Sequence, residues 1–411
     1  KEPFTILMPP PNANADLHAG HGMYSVDDIV TRWKRLNGFA SHWLPGMDHA
    51  GFETQYVYEK HLKKNGQSRL DFDRKTLYDD IFAFVKENSG HIYTQLRRLG
   101  FLADWDRSTF TLDDSVIDYV YETFSMMVKD GYVYRDTYIV NYCPHCGTSL
   151  ADLETVYVTR IDPLYYIKYG PFIVATVRPE TKFGDTALAV HPDDARYKEW
   201  IGKEVEIEGL LGKFKLKVIA DDFVDPEFGT GVVKITPAHD PNDFEASKRH
   251  NLELKQVIDL TGRLTDIAGK YAGMNVNKAR EAVVADLQEK GLMEKIDTEY
   301  EHSVTTCYKC GRDVEPMTFP NWFIKVAELK ERVKKVVEND EVTFHPAKYK
   351  GQMLQWLDVM HDWPISRQIV WGIRIPVWYK IDENAENIYV WWLDGDKKLQ
   401  KGTVGSFIKK G

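Results

Sequence analysis

Pro9-Pro10-Pro11-Asn12-Ala13-Asn14-Ala15-Asp16-Leu17-His18-Ala19-Gly20-His21 is the stretch that decides the fold of this chain. It follows a short apolar run, Phe4 to Met8, that reads as a strand, and it precedes an amphipathic helix starting near Gly22. A strand, a tight turn and a helix N-terminus form an anion site, because free backbone N–H groups and the positive end of the helix dipole point at the ligand. Gly20 lets the backbone approach closely, and His18 and His21 lie on one side of the first helical turn. Imidazolium N–H donors there can bind a nucleotide's phosphates as charge builds during displacement at the α-phosphorus. H-x-G-H alone fits equally two surface histidines at a helix start. The preceding Pro-Pro-Pro-Asn and the place directly after the first strand favour the nucleotide site.

Working outward, 411 residues exceed one core and predict two or three domains. Apolar residues make up 43% with no low-complexity tract, so the chain reads as globular throughout. No run of about eighteen apolar residues predicts a membrane span, and Lys1-Glu2-Pro3-Phe4 has no signal-peptide form. A net charge of −9 argues against a protein that coats nucleic acid, though not against a local basic groove. The four cysteines form two knuckles, Cys143-Pro-His-Cys146-Gly147 and Cys307-Tyr-Lys-Cys310-Gly311. Four thiolates suit a tetrahedral structural zinc site, with a disulfide or redox pair as the alternatives. A shared Zn2+ would close the neck of whatever lies between, which marks 147–306 as an insertion.

Residues 1–142 read as α/β. Met23, Val26, Ile29, Val30 and Trp33 recur at helical spacing until Asn37-Gly38, and Phe39 to Leu44 reads as the next strand. Helices are expected over 74–99 and 114–131, the second with Val116, Val120, Phe124 and Met127 as its core stripe. Strand then helix, repeated, predicts a parallel sheet with crossover helices. From about 160 the texture becomes β-rich. Leu164–Lys168 and Phe172–Thr176 flank Tyr169-Gly170-Pro171 as a hairpin, with further strands at 204–207 and 232–235 and helices near 240–250 and 277–290. Trp322 to Asn339 reads as helical, and Trp356 to Tyr379 as a loop and strand of the second half of the sheet.

Three further constellations carry chemistry. Pro45-Gly46-Met47-Asp48-His49-Ala50-Gly51 follows the second strand, at the sheet end where ligands bind; Asp48 there can pair with an ammonium or cap the next helix. Asp362-Trp363-Pro364-Ile365-Ser366-Arg367-Gln368-Ile369-Val370-Trp371-Gly372 places a Trp beside a Ser-Arg-Gln run. Inside the insertion stand Thr176-Val177-Arg178-Pro179-Glu180-Thr181 and Gly229-Thr230-Gly231-Val232-Val233-Lys234-Ile235-Thr236-Pro237-Ala238-His239-Asp240-Pro241-Asn242-Asp243. Asp240 and Asp243, three apart at a helix start, can hold an ammonium and position a water, or serve as N-caps.

These motifs resemble the class I aminoacyl-tRNA synthetases, and among them the valyl enzymes. The resemblance runs from residue 3 to about 380. It implies an α/β fold, a Rossmann-type parallel-sheet catalytic domain split by a β-rich editing insertion and a zinc ribbon. The expected division is 1–142 for the first catalytic half, 143–160 with 303–320 for the zinc neck, 161–302 for editing, and 321–411 for the start of the second half. ATP, with Mg2+, is expected on Asn12, His18, Gly20 and His21. Valine is expected on Pro9, Asp48 and Trp371, with Trp371 as an apolar wall facing Pro9. Editing is expected on Arg178, Thr181, Lys234, Thr236, Asp240 and Asp243, and zinc on Cys143, Cys146, Cys307 and Cys310. The implied reaction is attachment of valine to tRNA(Val) through a valyl-adenylate, with hydrolysis of threonyl-tRNA(Val), by a cytoplasmic monomer. An apolar pocket cannot strongly reject an isostere that adds a hydroxyl, which is the physical need for a second site.

Asp48-His49-Ala50-Gly51 and Pro237-Ala238-His239-Asp240 disfavour an isoleucyl-type enzyme, and a non-catalytic zinc-ribbon protein binding nucleic acid is the reading from another class. Ala15 stands where the family usually has Gly, and Val177 where it has Thr. No K-M-S-K-S-like loop or anticodon-binding helical domain is present, so the chain is expected to be the N-terminal part of a larger enzyme, with negligible valine activation of its own.

Overall fold

The computed structural model describes residues 1–385, 388–393 and 399–409, so residues 386–387, 394–398 and 410–411 of the expected 321–411 segment lie outside it. The chain divides into two compact units, Lys1–Asp130 with Ile369–Gly411, and Gly131–Gln368.

In the first unit the strand Pro3–Leu7 runs parallel to Ala40–Leu44, with Pro3 opposite Ala40 and Leu7 opposite Leu44. The helix Tyr24–Leu36 makes the crossover between them. Gly46–Met47 continues the second strand and pairs in parallel with Thr109–Phe110. Parallel strands joined by a helix are what the strand–helix alternation predicts. The helices Gly51–Lys64, Arg74–Arg98 and Asp114–Lys129 follow. Trp43, Met47, Ile81, Ile92, Leu96 and Trp371 form the centre of the core, each at most 1% exposed. A fully buried Ile or Leu contributes about 1.5–3 kcal/mol, so this cluster holds the strand ends in place.

Two predicted stripes differ. Met23, Val26, Ile29 and Trp33 are all more than half exposed, while Tyr24, Asp28 and Thr31 face inward. The buried side of this helix is polar because Asp28 is engaged: it accepts from Arg32 Nε at 2.6 Å and from Leu102 N at 2.9 Å. In Asp114–Lys129 only Phe124 is buried, and Val120 is 40% exposed.

The second unit holds three sheets. Trp363–Pro364, Glu315–Ile324, Val133–Cys143 and Thr148–Leu150 form one antiparallel sheet in that order. Met293–Cys307 pairs with Thr155–Tyr169, which turns at Gly170 into Phe172–Thr176 as the expected hairpin. Glu204–Gly209, Gly212–Ala220, Ala187–Val190 and Val232–Ile235 make the third sheet, in which the middle pair is parallel and the outer pairs antiparallel. The helices Pro241–His250 and Val276–Glu289 lie where periodicity puts them. Leu188, Ile207 and Val218 meet Ala279, Val283 and Leu287 in a core of their own.

Here too the prediction needs correcting. Trp322 belongs to the strand Glu315–Ile324, and the helix begins only at Ala327. Trp356 lies in the helix Lys348–Val359, leaving a strand of two residues, Trp363–Pro364. In the strand, Pro316 and Pro320 alternate with residues that keep the ladder, a pattern that apolar periodicity misreads.

Candidate functional site

The H-x-G-H turn is a short 3-10 segment, Ala19–Met23, that leads into the helix from Tyr24. His18 caps it, accepting from Gly20 N through Nδ1 at 3.1 Å, and the His18 N–H in turn donates to His21 Nδ1 at 3.0 Å. His18 Nδ1 thus accepts, while His21 Nδ1 faces both the His18 N–H at 3.0 Å and the His18 carbonyl at 3.3 Å. The rings lie 4.1 Å apart. Burial, then the neighbouring His18, holds the His21 pKa below the ordinary imidazole value. A Cβ on Gly20 would stand 2.8 Å from the His18 ring, which would have to move from its capping position.

Beside this turn, Asn12 bridges to Asp48, with Ala13 N donating to Asp48 O and Asp48 N to Pro11 O, each at 2.9 Å. Asp48 and His49 are tied by Thr111, which the sequence reading did not single out. The Thr111 hydroxyl accepts from His49 N at 2.8 Å, contacts His49 Nδ1 at 2.6 Å and donates to Asp48 Oδ1 at 3.3 Å. Asp48 Oδ1 also accepts from Ala50 N, and Ala50 has φ +46°, a strained left-handed conformation for a residue with a Cβ. Trp371 is completely buried among Tyr78, Phe82 and His49 and donates its indole N–H to His49 O at 2.7 Å. Pro9 is exposed and accepts from the Tyr24 hydroxyl at 2.7 Å. Trp371 thus shapes the site from within the core, by fixing the Asp48–His49 backbone.

In the second unit the Sγ atoms of Cys143, Cys146, Cys307 and Cys310 lie within 4.8 Å of one another, with Cys143 and Cys310 at 3.5 Å. A tetrahedral Zn–S4 centre needs S···S separations of about 3.8 Å, so the donor set fits zinc. The two knuckles repeat one geometry. Gly147 N donates to Cys143 O and Gly311 N to Cys307 O, both at 2.8 Å, and both glycines take φ near +70°, which only Gly adopts without strain.

The insertion motifs converge on a cluster of buried, hydrogen-bonded polar side chains. Lys234 Nζ donates to Thr236 Oγ1 at 2.6 Å, to Asp185 Oδ1 at 3.3 Å and to Thr181 Oγ1 at 3.4 Å. Thr236 Oγ1 donates to Asp185 Oδ1 and Tyr169 OH to Asp185 Oδ2, each at 2.6 Å. Asp243 Oδ2 accepts from Thr236 N at 2.7 Å, while its Oδ1 makes no hydrogen bond among the described residues. Burial, then the charge of Asp240, pushes the Asp243 carboxyl up to about 8. Asp240 is the N-cap of Pro241–His250, its Oδ1 accepting from Asn242 N at 2.8 Å and Asp243 N at 3.1 Å.

Arg178 stands at the cluster's edge in an ion network of its own. Its Nε donates to Glu180 at 3.3 Å and its Nη2 to Glu315, while Arg280 clasps both oxygens of Glu180 at 2.9 Å. Burial would raise the fully buried Glu180, but Arg280 and Arg178 hold it below the ordinary carboxylate range. Burial dominates at Glu315, whose pKa is raised. His239 is likewise buried. Its Nε2 accepts from Val257 N at 2.8 Å and Ile258 N at 3.2 Å, and its Nδ1 lies 3.2 Å from Pro316 O.

Sequence reading brought together Lys234, Thr236, Thr181 and Asp243. It missed Asp185, Glu180, Arg280, Glu315 and His239. Glu180 and His239 lay inside quoted motifs. Asp185 follows the first motif by only four residues, in Gly184-Asp185-Thr186 before a strand. Arg280 and Glu315 carry no local signal.

The chain belongs to the class I tRNA synthetases, since the family described as tRNA synthetases class I (I, L, M and V) matches residues 1–401. Its relatives include valine–tRNA ligases. That of Petrotoga mobilis is 46% identical over 384 residues, which cover 92% of this chain and 44% of the relative. That of Carboxydothermus hydrogenoformans is also 46% identical, covering 94% and 44%, and that of Thermotoga maritima is 42% identical, covering 94% and 45%. The chain thus spans less than half the length of these relatives. A solved ternary complex of LeuRS, tRNA and LeuAMS from Agrobacterium radiobacter K84 overlaps 77% of this chain and 48% of that one, at 17% identity and a TM-score of 0.34. Among the described residues, no helix is long and apolar enough to cross a membrane.

Proposed function

We propose that this chain carries the ATP and valine sites of a valine–tRNA ligase together with a hydrolytic site that clears threonyl-tRNA(Val). The 42–46% identity to valine–tRNA ligases supports the valine reading over an isoleucyl one. In the first unit His18 and His21 offer imidazole donors at the turn for the phosphates of Mg2+-bound ATP. Asp48, fixed by Thr111 and Ala50, takes the ammonium of valine. Adenylate formation develops charge at the α-phosphoryl group, and imidazole donors held in place by the cap bonds meet it without reorganisation.

In the second unit, 143–160 and 303–320 form the cysteine neck and 161–302 the hydrolytic domain. Cys143, Cys146, Cys307 and Cys310 would hold a Zn2+ that would close that neck structurally. The observation that carries the hydrolytic reading is Asp243 Oδ1, a buried carboxylate oxygen without a hydrogen-bond partner among the described residues, next to the bonded cluster of Lys234, Thr236, Thr181 and Asp185. It suits the free ammonium of an aminoacyl ester, whose binding displaces the proton on Asp243. Lys234, whose three donors are held by Thr236, Asp185 and Thr181, adds positive charge beside this carboxylate. The experiment is to mix the chain with threonyl-tRNA(Val) and valyl-tRNA(Val) separately and follow free amino acid. Faster release of threonine supports the reading; release of neither above the spontaneous rate refutes it.

A further inference from the structure

The Arg178 guanidinium is held from two directions. Nε meets Glu180, but Glu180 is already clasped by Arg280 on both oxygens, so its hold on Arg178 is the longer one, at 3.3 Å. The closer partner of Arg178 is Glu315, through Nη2. Among the described residues Nη1 makes no hydrogen bond, and a quarter of the side chain is exposed. A guanidinium fixed at Nε and Nη2 presents its remaining donors in a set direction, because the fork is planar and rigid.

Glu315 does not come from the insertion. It begins the strand Glu315–Ile324, five residues after Cys310, and pairs across the ladder with Tyr142, the neighbour of Cys143. The adjoining Pro316 O lies 3.2 Å from His239 Nδ1, in the second motif of the pocket. One strand end, set by the cysteine cluster, therefore touches both motifs: Arg178 through a carboxylate and His239 through a carbonyl.

We propose that Glu315 is a positioning residue for ester hydrolysis, holding Arg178 so that its free Nη1 edge binds the anionic 3′ end of the aminoacylated strand. This rests on the hydrolytic reading above. A contact to a remote phosphate is made equally in the ground and transition states, so its loss appears in KM rather than kcat.

The test uses the whole chain with threonyl-tRNA(Val), comparing wild type, Glu315→Gln, Glu315→Asp, Arg178→Ala and the double variant Arg178→Ala/Glu315→Gln. Expected for Glu315→Gln is a roughly tenfold rise in KM with kcat changed less than about threefold, and partial recovery in Glu315→Asp. In the Arg178→Ala background, Glu315→Gln should change nothing further, since residues acting through one another are non-additive. A wild-type KM in Glu315→Gln overturns the proposal. So do additive losses in the double variant, or a fall in kcat at constant KM, the mark of a reduced active fraction. Should Glu315→Gln not fold, Glu315→Asp decides by the same KM criterion. A wild-type chain that hydrolyses no ester overturns the hydrolytic reading itself and this proposal with it, an outcome distinct from unaffected variants of an active chain.

Discussion

Replacing Asp243 by Asn isolates the charge of that carboxylate. Asn keeps a carbonyl oxygen for the Thr236 N–H, which Asp243 Oδ2 now accepts at 2.7 Å, so the pocket backbone stays satisfied. What is lost is the acceptor at Oδ1 for an ammonium. A charge-assisted hydrogen bond of this kind contributes about 2–3 kcal/mol, or roughly 30- to 150-fold in kcat/KM for threonyl-tRNA(Val) hydrolysis. Asp243→Ala removes the Thr236 partner as well and should add about 1–3 kcal/mol of lost stability from a buried unpaired N–H. The pH profile separates this account from a capping role. With the carboxyl raised to about 8 by burial and Asp240, the ionised form that binds ammonium accumulates only as pH rises through that value. After subtraction of the spontaneous rate, wild-type kcat/KM should climb toward pH 8 and the Asn variant should be flat over the same range. Stability runs the other way: a carboxyl raised in the folded state stabilises most below its unfolded value and loses that contribution as pH rises through about 8. Hydrolysis by Asp243→Asn at the wild-type rate refutes the reasoning and leaves Asp243 as a structural acceptor for Thr236.

Elemental analysis should find one Zn2+ per chain, and a chelator should lower the melting temperature; a folded, metal-free chain contradicts the four-thiolate site. Gly20→Ala should weaken ATP binding in titration calorimetry by about tenfold, because the new Cβ forces the His18 ring to move from 2.8 Å; unchanged affinity argues against a role for the His18 cap. His239→Phe should cost about 2–4 kcal/mol in denaturant unfolding, since two buried N–H groups lose their acceptor. Burial, then Arg178, holds His239 down to about 3, so the folded state resists the proton that the unfolded chain takes near 6.5. Stability from this group is therefore lost as pH falls from about 6.5 toward 3, and that slope should shrink in the variant.

How far the sequence carried depended on whether a group's partners were local. The first parallel pair, the hairpin at Gly170 and the helices Arg74–Arg98 and Val276–Glu289 follow from short-range pattern, and they stand where expected. The cysteine cluster was legible because ligand chemistry dictates spacing on both sides of the insertion. Misreadings arose where a tertiary partner overruled the pattern. The helix Tyr24–Leu36 turns Asp28 inward and its apolar stripe outward, because Arg32 and Leu102 N satisfy that aspartate. Glu315 and Arg280 could not be found from their surroundings in sequence, since their meaning lies in residues 137 and 100 positions away. Trp371, expected as an apolar wall facing Pro9, is fully buried, and its indole N–H finds the His49 carbonyl only in the folded core.

If the proposed hydrolytic reading holds, the hydrogen-bond inventory of the cluster decides how it would tell threonine from valine. Lys234 has three donors, and Thr236, Thr181 and Asp185 take all three. Thr236 gives its proton to Asp185 and Thr181 gives its proton to Arg178 O, so neither hydroxyl has a donor left. Asp185 is held on both oxygens, and Asp240 caps its helix through Oδ1. On the proposed reading, the ammonium common to both esters is left to Asp243 Oδ1 and Asp240 Oδ2, which would bind both alike and select neither. On that reading selection would fall to the second lone pairs of Thr181 and Thr236, which can accept from a threonine hydroxyl but gain nothing from a methyl group. Thr181 is the better placed of the two, because its bond from Lys234 is the longest of the three at 3.4 Å and the least costly to exchange. Thr181→Val should thus erase the preference for the threonyl ester while leaving the slow valyl rate unchanged. A preference that survives in that variant moves the reading of the hydroxyl to Thr236.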